Sequence, residues 1–570
     1  MKIVTLHCDW IEFEAKKEAI KAAEKIEKKK HRVEECLVAF TAVEKDDERA
    51  LQKTVGNAAA AIADVAGQVK TKTVVVYPWV HLTSRPSSPA AAQEALVQLE
   101  DALKKQKFAV SRAPFGWYKQ FSIAVKGHPL AELSREITAV AAVKPKGGAA
   151  DKQVQAKPGE KHEERAHVKI GRELDIFHME PELAPGMPFY PPAGALVRNQ
   201  LIGYMRALNE AGGWEEVWTP HVFKTDLWRT SGHLEAYADR MYVFEKDGSD
   251  YGLKPMNCPG HALVIKRRPW SYKDFPVKYS EFGTLYRDEQ SGELTGLLRV
   301  RALTQDDGHG FVRPDQIQAE IASLIDVVKK LYLDVFGFSE MRFNLSTRGG
   351  EETKYIGDAA AWEKATKALR AALDQKKMKY DEKKGEAAFY GPKIDVDVKD
   401  SVGTWWQLST IQLDFNLPER FGIEYVDSDG SKKRPVVIHR ALYGSLDRFM
   451  GILLEHFKGR LPPWLSPVQV KVLTLSQESE DYGRKAAAAL RAAGLRVRED
   501  FGAETIGKKI VLAHAEKAPY MAIVGPKEAA AGSVSVRDWN DKQKALKLDE
   551  FAKKLAAESA SKAAEPRLCA

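Results

Sequence analysis

The chain has 570 residues, 44% hydrophobic and 29% charged, an ordinary globular composition that excludes a disordered or fibrous protein. At roughly 150 residues per domain this length predicts three or four domains. Lys and Arg number 87 against 79 Asp and Glu, and the resulting +8 suits contact with a polyanion while excluding a histone-like binder that works by charge alone.

Taken in chain order, MKIVTLHCDWIEFE alternates as a strand does and carries acids where a secretory leader needs an apolar stretch. Alternating runs at 2–7, 32–43 and 72–81, interleaved with Ala-rich helical patterns near 47–68 and 88–105, predict an α/β domain over 1–142. Residues 143–165 are rich in Lys, Gly, Pro and Gln, lack aromatic side chains and read as a linker. The segment 166–463 holds most of the Trp, Phe and Tyr, and LPPWLSPVQ at 461–469 punctuates its end with proline. Over 464–570, VQVKVLTL, RKAAAALRAAG, LRVRED, IGKKIVLAHAEK and YMAIVG alternate strand and helix, predicting a further α/β domain. Its basic excess, 18 Lys and Arg against 14 Asp and Glu over 471–570, favours a nucleic-acid partner. Four scattered cysteines, Cys8, Cys36, Cys258 and Cys569, supply no disulfide framework and point to a reducing compartment. The most apolar runs, such as VVVYPWV at 74–80, fall far short of the ~20 residues of a membrane span, so no membrane partner is expected and the default location is cytoplasmic.

No Walker-type phosphate loop occurs. The nearest string, beginning at Gly502, has Lys509 where a hydroxyl must bind magnesium. HIGH and KMSKS strings are also missing, so any ATP site must be built differently. The central segment offers arginines instead, in FGTLYRDEQSGELTGLLRVRALTQDDGHGF at 282–311 and PVVIHRALYGSLDRFMGILLEHF at 435–457. Guanidinium forks match phosphate oxygens two at a time. Arg287 and Glu289 end a strand-like stretch, EQSGELTG reads as a hairpin loop, and Arg299 returns on LLRVRALTQ, so Arg287 and Arg299 are expected to converge on one anion.

These strings resemble motifs two and three of the class II aminoacyl-tRNA synthetases, and PPAGALVRNQLIGYMRALNEAGGWEEVWTP at 191–220 resembles motif one. YGLKPMNCPGH at 251–261, VRALTQDDGH at 300–309, FYGPKIDVDV at 389–398, WWQLSTIQLDF at 405–415 and VVIHRALYGSLDRF at 436–449 are similar, in this order, to the threonyl-tRNA synthetases. The resemblance covers roughly 170–545. It implies a multidomain α/β and α+β protein with an antiparallel-sheet catalytic core, ATP-dependent activation of L-threonine, transfer to tRNA(Thr), and homodimerisation through motif one. By the same resemblance Cys258, His309 and His439 stand where the family ligates Zn2+, a donor set that leaves an open position for substrate. Arg287, Arg299 and Arg448 are implied at the ATP phosphates with Mg2+, Glu289 at the adenine amino group, and Gln407 and Lys393 at the adenylate. Gln305 and Gln412 are implied to line the amino-acid pocket, with Asp307 and Tyr390 near the ammonium and Ser445 completing the substrate set. Leu303 departs from the family's usual Phe stacked on adenine and implies weaker ATP binding over an apolar floor.

A metal that reads the hydroxyl rejects valine by ~10⁴ or more, where an apolar pocket manages only ~100-fold. Serine keeps the hydroxyl and lacks one methyl, worth about 1–3 kcal/mol, so a second, hydrolytic site is predicted. MKIVTLHCDWIEFEA, YPWVHLTSRPSSP and FGWYKQFSIAVKGHPLAELSRE resemble the archaeal-type editing domain, related to D-aminoacyl-tRNA deacylases. The resemblance implies His81, Tyr118, Lys119 and Glu132 around the seryl-adenosine end, with no nucleophile assigned to Cys8. LRVREDFGAETIGKKI and APYMAIVGPKE resemble the anticodon-binding domain of class II synthetases and imply Glu504, Lys508 and Arg537 as RNA contacts. The alternative is a tRNA-binding or editing paralogue without ligase activity, which loss of a ligand or motif arginine would mark; none is lost.

Overall fold

The computed structural model describes residues 1–20, 23–83, 85–128, 131–137, 165–350, 355–401 and 403–569. They form two compact units, Met1–Ala150 and Asp151–Ala570. The expected linker at 143–165 lies outside the described residues except for Arg165.

The first unit is built on the strand Lys2–Glu18, longer than the run read from the sequence. Ile3 is buried on one face of the sheet and Cys8, Ile11 and Phe13 on the other, because the alternation changes phase near Cys8–Trp10. It pairs antiparallel with Lys30–Ala42 from Lys2↔Ala42 to Glu14↔Lys30. Its other edge is shared: Trp117–Val125 takes the far end and Glu132–Glu136 takes the near end, with a register shift between Cys8 and Trp10. Thr73–Pro78 and Ala109–Arg112 extend the sheet in parallel. The helices Leu51–Gln68 and Pro89–Lys105 cover one face, packing Val55, Ile62, Leu96 and Leu99 on Leu37 and Val74. The opposite face carries Phe13, Phe40, Tyr77, Trp79 and Phe121 as one cluster of rings.

In the second unit an eight-stranded sheet runs Tyr380–Lys384, Glu340–Thr347, Lys393–Lys399, Trp405–Asp414, Val436–Ser445, Ala302–Val312, Val277–Tyr286, Glu215–Glu216. The six central strands are antiparallel neighbours and the two edge pairings are parallel. Helices including Ile317–Lys329, Ala359–Gln375 and Leu446–His456 bury one face in the largest core. The other face carries polar side chains beside a smaller apolar cluster of Val277, Tyr279, Phe311 and Val437. In Trp405–Asp414 the pairing skips Leu408 between Gln407 and Ser409. The extra residue shifts the alternation, so that Gln407 shares a face with Thr410 and Gln412.

The C-terminal part of this unit is the expected α/β layer: parallel strands Val497–Asp500, Val470–Thr474 and Tyr520–Val524, then antiparallel Ser533–Asp538 and Gln543–Lys547. Glu480–Ala492, Ile506–Ala515 and Leu548–Ala560 are its helices. The hairpin expected around residue 290 is also present, as Val277–Tyr286 paired with Ala302–Val312. Its loop is longer than the spacing predicts: Arg299 lies in it, bridged to Thr295, instead of on the returning strand.

Candidate active site

Register places the key side chains in rows across the sheet. His309 is directly opposite His439, His439 opposite Gln412, and Gln412 opposite Lys393. Gln305 and Asp307, at two-residue spacing from His309, share its face. Cys258 begins the helix Cys258–Lys266, which packs beside this row. The donor atoms of Cys258, His309 and His439 lie within 4.8 Å of one another, and all three residues are buried.

The set fits zinc. Three atoms each about 2.0–2.3 Å from one ion stand roughly 3.4–3.6 Å apart, so small side-chain rotations seat it. Burial pushes the Cys258 thiol well above its ordinary range, reinforced by the Asp307 and Asp414 carboxylates. Burial, with His439 and His261 adding repulsion, holds His309 well below the usual histidine range. Neutral imidazole is the ligating form, and a bound dication reverses the penalty on the thiolate.

The substrate residues implied by the resemblance gather here. Tyr390 stacks on His439 with ring centroids 4.9 Å apart, and its hydroxyl donates to Gln412 Oε1. Gln412 donates to Thr410 Oγ1 at 3.0 Å. Asp307 accepts from Asn257 Nδ2 at 3.1 Å, while Asn257 Oδ1, among the described residues, is a buried acceptor without a partner. Gly283 permits this approach, because a Cβ there would stand 2.4 Å from Asn257 Oδ1. Gln305 is opposite Ser445, whose hydroxyl accepts from Arg448 N at 3.2 Å and caps the helix Leu446–His456. Lys393 and Gln407 meet at the buried Asp395, 2.8 Å and 2.7 Å from its oxygens.

At the arginine end, Glu289 Oε2 accepts from Arg240 at 2.9 Å and from Arg299 Nε and Nη2 at 3.0 and 2.8 Å. Arg299 also reaches Glu293 at 3.0 Å. Burial opposes the Glu289 charge, but the Arg299 and Arg240 guanidinia more than offset it and hold its pKa below the ordinary value. Arg287 donates through Nε to Pro255 O at 3.3 Å, and Arg448 through Nε to Leu298 O at 2.9 Å. Leu303 is buried with Leu285, Val300 and Met179.

Several participants escaped the sequence reading. Buried His233 places Nε2 3.5 Å from Cys258 Sγ and Nδ1 2.9 Å from Ser231 Oγ, and burial pushes its pKa down to about 4. His261, three residues after Cys258 on the same helix, reaches His309; that spacing alone places it on one helical face with Cys258. Arg240 and Asn257 carry no comparable local signal.

In the first unit, Lys119 Nζ donates to Pro114 O and Trp117 O, both at 3.0 Å, and lies 5.3 Å from the Tyr77 ring. Burial pushes it down to about 8. His81 follows Thr73–Pro78 with its ring 5.9 Å from Trp79, and Tyr118 is exposed. His81 and Lys119 border the ring cluster, whereas Tyr118 is exposed and Glu132 begins a separate strand opposite Leu6. A part-buried pair, His7 Nδ1 and His128 Nε2 at 2.7 Å, was not anticipated.

In the C-terminal part, Glu504 and Lys508 pair at 2.7 Å, both exposed, at the start of Ile506–Ala515. Arg537 instead binds Asp541 at 2.8 Å, which also accepts from His514 at 2.9 Å. Six residues of helix, about 9 Å, separate Lys508 from His514.

Comparison with known proteins agrees with this geometry. Residues 1–137 match the archaea-specific editing domain of threonyl-tRNA synthetase, 242–457 the tRNA synthetase class II core domain (G, H, P, S and T), and 469–558 an anticodon binding domain. The threonine–tRNA ligase catalytic subunit of Metallosphaera sedula is 49% identical over 416 residues, 72% of this chain and 75% of that protein. Its Sulfurisphaera tokodaii counterpart is 50% identical over 392 residues, 68% of this chain and 72% of that protein. A crystal structure of the RNA binding domain of threonyl-tRNA synthetase from Cryptosporidium parvum superposes with TM-score 0.67 at 38% identity, covering 69% of this chain and 98% of that one. With a class II core that carries this polar face and an archaeal-type editing domain ahead of it, the chain belongs to the threonine–tRNA ligase family.

Proposed function

We propose that the chain activates L-threonine with ATP, transfers it to tRNA(Thr), and hydrolyses seryl-tRNA(Thr) in its N-terminal unit. The observation that carries this reading is the convergence of Cys258, His309 and His439 beside Asp307, Tyr390 and Gln412. Zinc bound by the three supplies a Lewis-acid position that threonine's amino and hydroxyl groups can fill and valine's methyl cannot. Asp307, Tyr390 and the unsatisfied Asn257 Oδ1 face the N–H groups of that neutral amine, while Gln305 and Gln412 shape the pocket.

Activation forms a bond from a threonine carboxylate oxygen to the α-phosphorus as the bond to pyrophosphate breaks. The nucleophile is already anionic, so positioning and charge stabilisation suffice without a base. Arg287, Arg299 and Arg448 with Mg2+ balance the phosphate charge, and Lys393 and Gln407 hold the adenylate. Arg299 reaches the phosphates by loosening its contacts with Glu289 and Glu293, which keep the guanidinium oriented beforehand. Transfer then joins a hydroxyl of the terminal ribose to the threonyl carbonyl, with AMP leaving.

Editing falls to His81, Tyr118, Lys119 and Glu132. The proposed division is an editing domain at 1–142, a linker at 143–165, a catalytic domain at 166–463 and an anticodon-binding domain at 464–570, where Glu504, Lys508 and Arg537 meet RNA. Homodimerisation through motif one is supported by Trp218, 84% exposed at the end of that segment. No described helix is long and apolar enough to cross a membrane, and a translation enzyme of this kind works in the cytoplasm. The test is charging of tRNA(Thr) transcript with each amino acid: threonyl-tRNA should accumulate, and seryl-tRNA should appear only when Lys119 is replaced. Failure to charge threonine would favour the non-ligase paralogue.

A further inference from the structure

Behind His309 lies a run of buried polar groups that neither the fold nor substrate contact requires. His309 Nδ1 is 2.8 Å from His261 Nδ1, with the two rings nearly perpendicular at 4.6 Å between centroids. His261 Nε2 is 3.0 Å from Glu281 Oε2. Glu281 also accepts from Thr219 N at 3.1 Å, Thr219 Oγ1 at 2.8 Å and Lys254 Nζ at 2.9 Å. His261 and Lys254 are fully buried, and Glu281 is 5% exposed.

We propose that Lys254, Glu281 and His261 form a positioning relay that fixes the tautomer of His309, leaving Nε2 as its metal-ligating atom; this rests on the zinc reading above. An ionised carboxylate only accepts, so His261 Nε2 must carry the proton it shares with Glu281. Its other ring nitrogen faces His309 Nδ1 across 2.8 Å, so one Nδ1 donates and the other accepts, and ligation through His309 Nε2 makes His261 the acceptor. His309 must then donate from Nδ1, and its Nε2 is unprotonated. The reverse arrangement, with His261 donating from Nδ1, would leave the His309 proton on Nε2, where the metal binds. Metal-ligating histidines commonly donate their second nitrogen to a carboxylate or carbonyl. Here an imidazole stands between, and the helix bearing Cys258 contributes it, tying two of the three ligands to one network.

The full-length protein tests this by zinc affinity, from chelator competition, and by the visible spectrum of the Co(II)-substituted form. Glu281→Gln can present an amide N–H to His261 and invert the relay. His261→Phe keeps a ring and removes the acceptor, while His261→Asn restores an acceptor near Nδ1. The first two variants should bind zinc 10–100-fold more weakly with an altered Co(II) spectrum, the range typical of outer-shell partners. His261→Asn should bind nearly as tightly as the native protein. Native affinity in both Glu281→Gln and His261→Phe would overturn the relay, as would equal loss in His261→Asn and His261→Phe, which would mark packing alone. If His261→Phe fails to fold, Glu281→Gln and His261→Asn decide. A native protein that takes up no zinc, or Cys258→Ala that keeps it, would refute the metal reading itself.

Discussion

The two ends of the active site are prepared in different ways. At the metal end, strand register brings His309 and His439 together, and buried partners hold the surrounding side chains before any ligand arrives. At the arginine end, where the proposed triphosphate would lie, Arg299 and Arg240 are held by Glu289, a carboxylate of the protein's own, and Arg287 and Arg448 by backbone carbonyls. The contrast follows from the ligands. An uncharged hydroxyl must be distinguished from a methyl of nearly equal size, which needs donors fixed in place. A triphosphate brings its own charge and can draw flexible guanidinia away from weaker partners.

The largest effect should come from the metal end. Cys258→Ala should reduce threonine-dependent pyrophosphate exchange by on the order of 10³–10⁴-fold and remove bound zinc, measured by exchange and metal analysis of one preparation. Arg299→Ala should lower kcat for activation by roughly 10²–10³-fold while zinc content stays at the native level. If both substitutions stripped the metal, the two ends would not be independent. In the separate N-terminal unit, Lys119→Met should slow seryl-tRNA deacylation by about 10²-fold without changing threonylation, read from parallel charging and deacylation assays.

A smaller, pH-dependent effect belongs to Glu281: burial opposes its charge, but hydrogen bonds from His261 and Lys254 more than offset this and hold its pKa down to about 2 from an ordinary 4.5. A folded-state pKa below the unfolded value stabilises above about 4.5 and loses that stabilisation as pH falls towards about 2, at most about 3 kcal/mol. Urea unfolding at pH 6 and pH 3 should therefore narrow the stability gap between the native protein and Glu281→Gln. Lys508→Ala should have the least effect: its exposed pair with Glu504 counts for little, so KM for tRNA should rise only a few-fold and the salt dependence of binding fall by about one phosphate contact.

Legibility from sequence followed the same divide. Strands and helices of both α/β parts were readable because alternation and Ala-rich helical spacing are local signals. Cys258, His309 and His439, separated by up to 181 positions, were placed by resemblance alone, since no local period links them. Glu281 was invisible for the opposite reason: it sits in an apolar strand, where a lone acid gives no hint that Lys254 and Thr219 will reach it. Arg299 lies in the loop instead of its expected strand, where it bonds Glu289, a contact that spacing does not encode.

The central claim is that the Cys258, His309 and His439 site reads the substrate hydroxyl. ATP–pyrophosphate exchange measured side by side with threonine, serine and valine tests it most directly. Activation of threonine and, within about 10–200-fold, of serine, with valine lower by ~10⁴ or more, is the predicted result. Valine activated within about 100-fold of threonine would contradict it, because an apolar pocket alone accounts for that ratio.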